Sequence, residues 1–299
     1  MLPAPATLAA RFPTRAISWR LRHTTLVFGR EPLLMGIINV TPDSFSDGGR
    51  FFDPLRAVEH GLQLAAEGAA ILDVGGESTR PMSEPVVLAE ELRRVLPVVQ
   101  RLAESTRVPI SIDTSKADVA REALAAGAQV INDVTGFSRP ELLALAADSG
   151  AGVCAMHMQG TPQTMQDNPQ YQHVVEEISS YLRARRDALT RAGVSPDRIC
   201  LDPGIGFGKS HQHNLELLAH AGDFHQLACP ILIGHSRKGF VAKILNDKET
   251  DRTAASLGVA LALARQGIQI LRVHDVLATF QALKLFVAVG GIDGQPQQL

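Results

Sequence analysis

Eight short apolar runs recur along the chain, and a segment with helical spacing follows each of them. The runs span residues 33–39, 69–75, 109–113, 129–133, 152–157, 198–202, 230–234 and 268–273. They are apolar almost throughout, which is typical of parallel strands buried on both faces. Eight such strands alternating with helices predict an α/β protein folded as a (β/α)8 TIM barrel. Alternation alone does not establish closure, so a doubly wound open sheet is the alternative.

The segments between the runs carry helix start and stop signals. Asp53 and Pro54 offer a cap followed by a proline at the first helical position, and Gly68 offers a stop. Ser115 and Ser138 each precede an acidic residue by three positions, which predicts two capping boxes.

The stretch SWRLRHTTLVFG at residues 18–29 alternates between apolar and polar residues and ends in a glycine. This pattern predicts a short β-hairpin, which we expect to plug the bottom of the barrel. The sequence has no internal repeat, low-complexity tract or linker. We therefore predict a flexible tail over residues 1–17 and a single barrel domain over residues 18–299.

Composition argues against several classes of protein. The chain has 299 residues, of which 45% are hydrophobic and 20% charged, as in an ordinary soluble enzyme. A net charge of -2 gives no general attraction to nucleic acid or to an anionic membrane. No apolar stretch approaches the roughly 20 residues that span a bilayer. Cys154, Cys200 and Cys229 lie in or beside apolar runs without metal-like spacing, which predicts buried reduced thiols in a cytoplasmic protein.

Polar side chains stand at or just after the end of every predicted strand. They are Asn39; Glu77, Ser78, Thr79 and Arg80; Asp113; Asn132 and Asp133; Met156 and His157; Asp202; Ser236, Arg237 and Lys238; and Arg272 and His274. Any one of them has a plain reading as a helix cap or a turn former. A barrel gathers all eight strand ends on one rim, however, and that rim carries the chemistry of barrel enzymes. The whole set therefore predicts a functional site.

The residue types on this rim suit two kinds of ligand. Two carboxylates and an asparagine match the N–H groups of a flat, donor-rich heterocycle. Arg80, Lys238, Arg272 and His274 are cations suited to phosphate. Ser236 and Arg272 follow strands seven and eight, where barrels commonly bind phosphate. We expect one mouth that holds both a heterocycle pocket and an anion pocket.

Two motifs do not support the functions that they first suggest. DPGIGFGKS lacks the first glycine of a P-loop because Pro203 stands there, so we interpret its glycines as a turn that brings Phe207 close to a ligand. His211 and His213 have no third ligand in view and are interpreted as exposed loop histidines. His157 has two open readings, a catalytic residue or a strand-end histidine bonded to backbone.

Eight segments in order resemble the successive signatures of bacterial dihydropteroate synthases. They are MGIINVTPDSFSDGG, DVGGESTRP, SIDT, INDVTG, MHMQG, DPGIGFGK, SRKG and RVHDV, and they extend over residues 33–276. The resemblance implies a pterin-binding (β/α)8 barrel that is usually a homodimer. It also implies the condensation of 6-hydroxymethyl-7,8-dihydropterin diphosphate with 4-aminobenzoate to 7,8-dihydropteroate and diphosphate.

The resemblance assigns roles to residues of this chain. The pterin would be bound by Asp113, Asn132, Asp202 and Lys238, with Met156 and Arg272 against its faces. Asn39 would ligate Mg²⁺ together with the diphosphate. The diphosphate or the aminobenzoate would be held by Thr79, Arg80, Ser236, Arg272 and His274, and the aminobenzoate slot would be walled by Pro81 and Phe207. The residues expected to act in catalysis are Asn39, Arg80, Lys238, Arg272 and His274.

The implied chemistry accounts for the long loops after the first two predicted strands. Water competes for a carbocation-like carbon, so we expect residues 41–49 and 78–85 to act as lids that exclude it. Met82 stands where the family commonly has glycine, a departure that affects the aminobenzoate end and not the pterin pocket. We assign no general base.

Two other functions stay open at this level. A related pterin-binding barrel transfers a methyl group from methyltetrahydrofolate to a corrinoid protein, but it has no use for the anion cluster of Arg80, Lys238 and Arg272. A pterin-binding protein without catalytic activity is the second alternative.

Overall fold

Parallel pairing joins eight strands in the computed structural model of the protein, which describes residues 7–41, 53–78, 83–247, 251–294 and 296. A two-stranded antiparallel hairpin precedes them. The strands are β1 Ser18–Arg20, β2 Thr25–Val27, β3 Leu33–Asn39, β4 Ile71–Gly75, β5 Ile110–Asp113, β6 Val130–Asp133, β7 Gly152–Met156, β8 Ile199–Asp202, β9 Leu232–Ile233 and β10 Ile270–Val273. All eight predicted core strands are confirmed, with ends shifted by up to two residues.

The eight parallel strands close into a barrel. Their order is β8-β7-β6-β5-β4-β3-β10-β9. A parallel bridge between Leu201 and Ile231 joins the two outer strands, and the amide of Leu201 donates to the carbonyl of Pro230 at 2.9 Å. The predicted TIM barrel is therefore confirmed, and the open doubly wound sheet is excluded.

Helices cover the outside of the barrel. They are α1 Leu8–Arg11, α2 Pro54–Ala66, α3 Leu88–Ser105, α4 Ala117–Ala125, α5 Pro140–Ser149, α6 Val174–Ala192, α7 His211–Ala219, α8 Gly239–Leu245, α9 Thr253–Arg265 and α10 Val276–Ala288. The fully buried side chains of α3, such as Val95, Val99 and Leu102, recur at helical spacing and face the strands. No helix of the described residues is long and apolar enough to cross a membrane.

The predicted helix caps have a mixed outcome. Asp53 caps α2 as expected, since its Oδ1 accepts a hydrogen bond from the amide of Leu55 at 2.8 Å. The two predicted capping boxes are wrong. Helix α4 begins one residue later than a cap at Ser115 requires, and α5 begins at Pro140, beyond Ser138. Proline fits the first helical turn because it has no amide hydrogen to satisfy.

The hairpin plugs the bottom of the barrel, as predicted. Trp19 is fully buried, and its Nε1 donates to the carbonyl of Arg198 at 2.8 Å. Trp19, Leu21 and Phe28 belong to one apolar cluster with the inward residues at the lower ends of the strands. These residues are Met35, Ile71, Val130, Cys154, Cys200, Leu232 and Ile270. Cys154, Cys200 and also Cys229 are buried free thiols, as predicted.

The expected flexible tail over residues 1–17 needs a correction for its described part. Residues 8–11 form α1, and the ring of Phe12 lies 4.9 Å from the ring of His225, centroid to centroid. Arg15 Nε donates to the carbonyl of Gly267 at 2.6 Å. This part of the chain therefore contacts the barrel, because Phe12 and Arg15 find apolar and carbonyl partners at its lower end.

Candidate active site

A cavity of about 710 Å³ opens at the carboxyl ends of the barrel strands. Ten of the thirteen residues predicted for the site line it, namely Asn39, Asp113, Asn132, Met156, Asp202, Phe207, Ser236, Lys238, Arg272 and His274. The other three, Thr79, Arg80 and Pro81, lie outside the described residues, as does most of the first predicted lid and the centre of the second. Residues scattered over the whole sequence therefore converge on one opening, as the barrel predicted.

A buried network of charges forms the floor of the cavity. Arg272 Nε donates to Asp73 Oδ2 at 2.6 Å, and its Nη2 donates to Asp113 Oδ2 at 2.8 Å. Asn132 Nδ2 also donates to Asp73 Oδ2, at 3.2 Å. Burial acts to lower the pKa of Arg272, but the two carboxylates outweigh it and raise that pKa. The guanidinium is thus paired with one buried and one half-buried acid, unlike the phosphate-binding cation that its position in the sequence suggested.

Asp73 was missed by the sequence reasoning. It stands in the middle of the apolar run that forms β4 and is fully buried. Because side chains alternate along a strand, Asp73 lies on the same face of β4 as Gly75, the register partner of Asp113. A carboxylate inside an otherwise apolar strand requires a buried partner, and this was the available signal.

The two carboxyl groups expected to meet the heterocycle have raised pKa values. Burial raises the pKa of Asp113 to about 7, although the charge of Arg272 opposes the shift. Burial likewise raises the pKa of Asp202 to about 6, although the amide of Gly204 donates to its Oδ1 at 2.7 Å. Both groups therefore change protonation near neutral pH, where a ligand that offers N–H groups favours the charged acceptor form.

Lys238 lies between the floor and the aromatic wall of the cavity. Its Nζ stands 4.2 Å from the centroid of the Phe207 ring, within range of a cation–π interaction. Burial and the nearby charge of Arg272 lower the pKa of Lys238 to about 8, although Asp202 and Asp113 favour its charged form. Lys238 thus carries a positive charge at neutral pH, next to the Phe207 ring and under the influence of Asp202 and Asp113.

The anion side of the site contains a serine–histidine pair. Ser236 Oγ accepts a hydrogen bond from the amide of His274 at 3.3 Å and lies 3.1 Å from His274 Nδ1. Burial, aided by the charge of Arg272, lowers the pKa of His274 to about 4. Burial therefore favours a neutral His274 ring at pH 7 without a ligand, which departs from the predicted cation. It can still offer a hydrogen bond to a phosphate oxygen.

Among the described residues, the donors at the mouth suit a metal ion that is bound together with a phosphate ligand. The described residues contain no group of three or more His, Cys, Asp or Glu side chains placed to hold an ion. Asn39 ends β3 at the cavity wall and offers one amide oxygen. Mg²⁺ commonly takes one or two protein oxygens and completes its shell with water and substrate phosphates. Asn39 with a diphosphate meets that requirement.

Three histidines take positions that the sequence did not settle. His211 and His213 are not in a loop but in the first turn of α7, where His213 forms a capping box with Ser210. The amide of His157 donates to the carbonyl of Asp202 at 2.9 Å, and its Nδ1 lies 3.0 Å from Lys209 Nζ. The ring of His157 is thus partnered by a lysine side chain, and its main chain is paired with β8.

Comparisons with known proteins agree with this geometry. Residues 35–274 match the family described as pterin binding enzyme. A curated dihydropteroate synthase from Escherichia coli (strain K12) is 46% identical over 258 residues, which cover 86% of this chain and 92% of that protein. The chain belongs to the dihydropteroate synthase family.

Solved dihydropteroate synthases share the fold. A structure from Yersinia pestis with a sulfonamide drug complex has a TM-score of 0.86 and 42% identity, covering 92% of this chain and 99% of that one. A Burkholderia cenocepacia dihydropteroate synthase complexed with 7,8-dihydropteroate has a TM-score of 0.83 and 43% identity, covering 92% and 97%. Membership in the dihydropteroate synthase family therefore rests on sequence and structure alike.

Proposed function

We propose that the chain condenses 6-hydroxymethyl-7,8-dihydropterin diphosphate with 4-aminobenzoate to give 7,8-dihydropteroate and diphosphate. The observation that carries the proposal is the single cavity at the mouth. It joins the acids Asp113 and Asp202 to the Ser236–His274 pair, with Lys238 between them. The Burkholderia cenocepacia relative, complexed with 7,8-dihydropteroate, supports the same product.

The pterin ring occupies the deep, acidic part of the cavity in this proposal. Asp113 and Asp202 accept N–H groups from the amino-imino edges of the ring, and Asn132 supplies one donor and one acceptor. Met156 and Arg272 pack against the two faces of the ring. The buried floor supports this role, because Arg272 is already held in place by Asp73 and Asp113 before a ligand arrives.

The diphosphate lies nearer the opening in this proposal. Ser236 and His274 offer hydrogen bonds to its oxygens, and Lys238 and Arg80 neutralise charge that grows as it leaves. Asn39 would hold Mg²⁺, which, when bound with the diphosphate, adds positive charge to the leaving group.

Substitution at the exocyclic CH₂ completes the reaction. The C–O bond to the diphosphate breaks while the electron-rich dihydropterin stabilises the developing cation. The amine nitrogen of 4-aminobenzoate then forms the new C–N bond and loses its proton afterwards. Phe207 and Pro81 wall the slot for the benzoate ring, and Thr79 belongs to the same side. Closure of the loops after β3 and β4 excludes water, the competing nucleophile.

Diphosphate release tests the proposal. The protein is incubated with Mg²⁺, the pterin diphosphate and 4-aminobenzoate, and diphosphate and dihydropteroate are both measured. We expect one diphosphate for each dihydropteroate and none when 4-aminobenzoate is omitted. Release without 4-aminobenzoate would indicate a hydrolase. Pterin binding without any release would indicate a binding protein or a methyltransferase of the related barrel type.

The assembly and location of the protein belong to the same proposal. A homodimer is supported by α10, where Leu285 is 69% exposed, and by Val289 just after it, which is 75% exposed. The buried reduced thiols support a cytoplasmic location. Sedimentation at micromolar concentration tests the dimer, since a single species with the mass of one chain would contradict it.

A further inference from the structure

The loop between β8 and α7 is fitted closely against the segment that follows β7. Gly204 and Gly208 have φ values of +69° and +60°, in the left-handed region that favours glycine. A Cβ at Gly204 would lie 2.0 Å from the carbonyl oxygen of His157, and one at Gly208 would lie 2.4 Å from that of Gln159. The two backbones therefore touch, and the position of the β8–α7 loop depends on its ties to this segment.

Lys209 forms the buried tie. It is 2% exposed, and its Nζ donates to the carbonyls of Phe207 at 2.8 Å and His157 at 3.3 Å. The same Nζ lies 3.0 Å from His157 Nδ1. Burial, aided by the charge of Lys209, lowers the pKa of His157 to about 3, so the ring is neutral and this nitrogen accepts. Three acceptors match the three N–H groups of one ammonium. Lys209 is thus a cross-link between two loops.

Weaker ties hold the same loop from its surface. Tyr171 Oη donates to the carbonyl of Gly208 at 2.8 Å, and Gln166 Nε2 donates to that of Gly206 at 3.0 Å. These bonds involve neutral or exposed groups with one donor each, whereas Lys209 offers several N–H groups from a buried position. Burial lowers the pKa of Lys209 to about 7, so it is partly charged at neutral pH. Lys209 also holds the carbonyl of Phe207, the residue whose ring faces the cavity.

The ring of Phe207 links this loop to the ligand cavity. It lines the cavity, and Lys238 Nζ lies 4.2 Å from its centroid. A shift of the loop would move the aromatic wall away from Lys238 and widen the opening beside it. Asp113 belongs to strand β5, outside this loop. Asp202 ends β8 and is tied to the start of the loop by the amide of Gly204 at 2.7 Å, not to Phe207.

We propose that Lys209 is a positioning residue for the second substrate: by fixing the carbonyl of Phe207, it sets the aromatic wall against which 4-aminobenzoate lies. The inference rests on the proposed function, because it requires the benzoate ring to lie against Phe207. It separates the two substrates, since the pterin contacts the strand ends while 4-aminobenzoate contacts the tied loop.

The test replaces Lys209 with methionine, which keeps the length of the side chain and removes its donors. We expect the KM for 4-aminobenzoate to rise about tenfold, the equivalent of about one net hydrogen bond. The Kd for the pterin diphosphate should stay within about twofold of the wild-type value. Gln266→Met is the matched control, because it removes a donor to the carbonyl of Leu218 at the lower end of the barrel. That variant should alter neither constant.

A double-mutant cycle with Phe207→Ala distinguishes positioning from general loosening. If Lys209 acts through the ring, Lys209→Met adds little to the rise in KM that Phe207→Ala already causes. Additive effects, equal losses for both substrates, or an unchanged KM for 4-aminobenzoate would each overturn the inference. If Lys209→Met does not fold, Lys209→Gln replaces it. This shorter side chain keeps donors, and the KM for 4-aminobenzoate and the Kd for the pterin diphosphate are measured in the same way. Failure of the wild-type protein to release diphosphate would reject the proposed function instead.

Discussion

The two ends of the barrel interior differ in chemistry although the same strands build both. At the lower end the inward residues are apolar and pack on the hairpin, as Ile71 and Ile270 do. At the mouth the next inward residues of the same strands are Asp73 and Arg272, which form an ion pair at 2.6 Å. One step of two residues along a strand therefore separates the apolar lower end of the barrel from the charged network at the mouth.

This contrast repeats around the barrel. The pairs of lower and upper inward residues include Val130 and Asn132, and Cys200 and Asp202. The lower layer excludes water and contributes mainly to stability. The upper layer keeps charges that are costly to bury, a pattern that is common at functional sites. The two layers should therefore respond differently to substitution.

The largest effect is expected at the plug. Trp19→Ala removes the fully buried indole and its bond to Arg198, and should lower the free energy of unfolding by about 3 to 5 kcal/mol. The KM values of the folded variant should not change. Urea unfolding and steady-state kinetics measure the two outcomes. Val27→Ala, at a 73% exposed position of the same hairpin, should change stability by no more than about 0.5 kcal/mol. Altered KM values would show that plug and mouth are coupled.

Substitution at the mouth should have the opposite signature. Asp113→Ala removes the acceptor for the pterin edge and should weaken pterin binding by about 100-fold, as the loss of hydrogen bonds to a charged group predicts. Titration calorimetry with the free pterin measures this affinity. Ser111→Ala, two residues earlier on β5, is the control. Its Oγ has no hydrogen-bond partner among the described residues, so pterin affinity should not change. Unchanged affinity in Asp113→Ala would refute the pterin site.

The pH dependence of stability should also differ between the two ends. Burial lowers the pKa of His225, at the lower end, to about 4, so the unfolded chain binds a proton that the folded chain does not between pH ~6.5 and ~4. The stability contributed by the neutral His225 ring is therefore fully present above pH ~6.5 and is lost as the pH falls towards ~4. The raised pKa values of Asp113 and Asp202 act in the opposite direction, since the folded state then binds the extra proton.

Replacing His225 with glutamine separates these contributions. The variant should lose about 1 to 2 kcal/mol less unfolding free energy than the wild type between pH 7 and pH 4.5. Urea unfolding at the two pH values gives this difference. His220→Gln, at an exposed position five residues earlier, serves as the control and should behave as the wild type. The same acid sensitivity in both variants would argue against a neutral buried His225.

The smallest effect is expected at the anion side. Ser236→Ala removes the hydroxyl beside His274 and should weaken binding of the pterin diphosphate about fivefold, the equivalent of about 1 kcal/mol. The free pterin should bind as before, which competition titration can check. Ser149→Ala removes a comparable bond, to the amide of Ala151 before β7, and should affect stability alone. Equal losses for the two pterin ligands would contradict the anion role of Ser236.

Much of the fold was predictable because its signals are local. An apolar run bounded by polar residues identifies a buried strand wherever it occurs, and the alternating stretch from Ser18 to Gly29 predicted the hairpin. The capping boxes failed for a different reason. Ser115 and Ser138 have the right spacing, but Pro140 occupies the first position of α5, and Lys116 stands at the cap position of α4.

The convergence of the strand-end residues on one cavity was predictable, but their protonation states were not. Asp113, Asp202 and His274 were expected on one rim because strand ends converge in any barrel, and all three line the cavity. It could not show that burial leaves His274 neutral, because desolvation depends on neighbours distant in sequence. For the same reason Asp73 was overlooked. Its partner Arg272 comes from the last strand of the barrel.

The plug also constrains when the lower end of the barrel can close. The indole of Trp19 bonds to Arg198, 179 positions later in the chain, and shares a cluster with Ile270. A chain that lacks β10 therefore has its hairpin but not the complete lower end of the barrel on which that hairpin packs. The lower closure of the barrel therefore requires strands that are far apart in the chain to be present together.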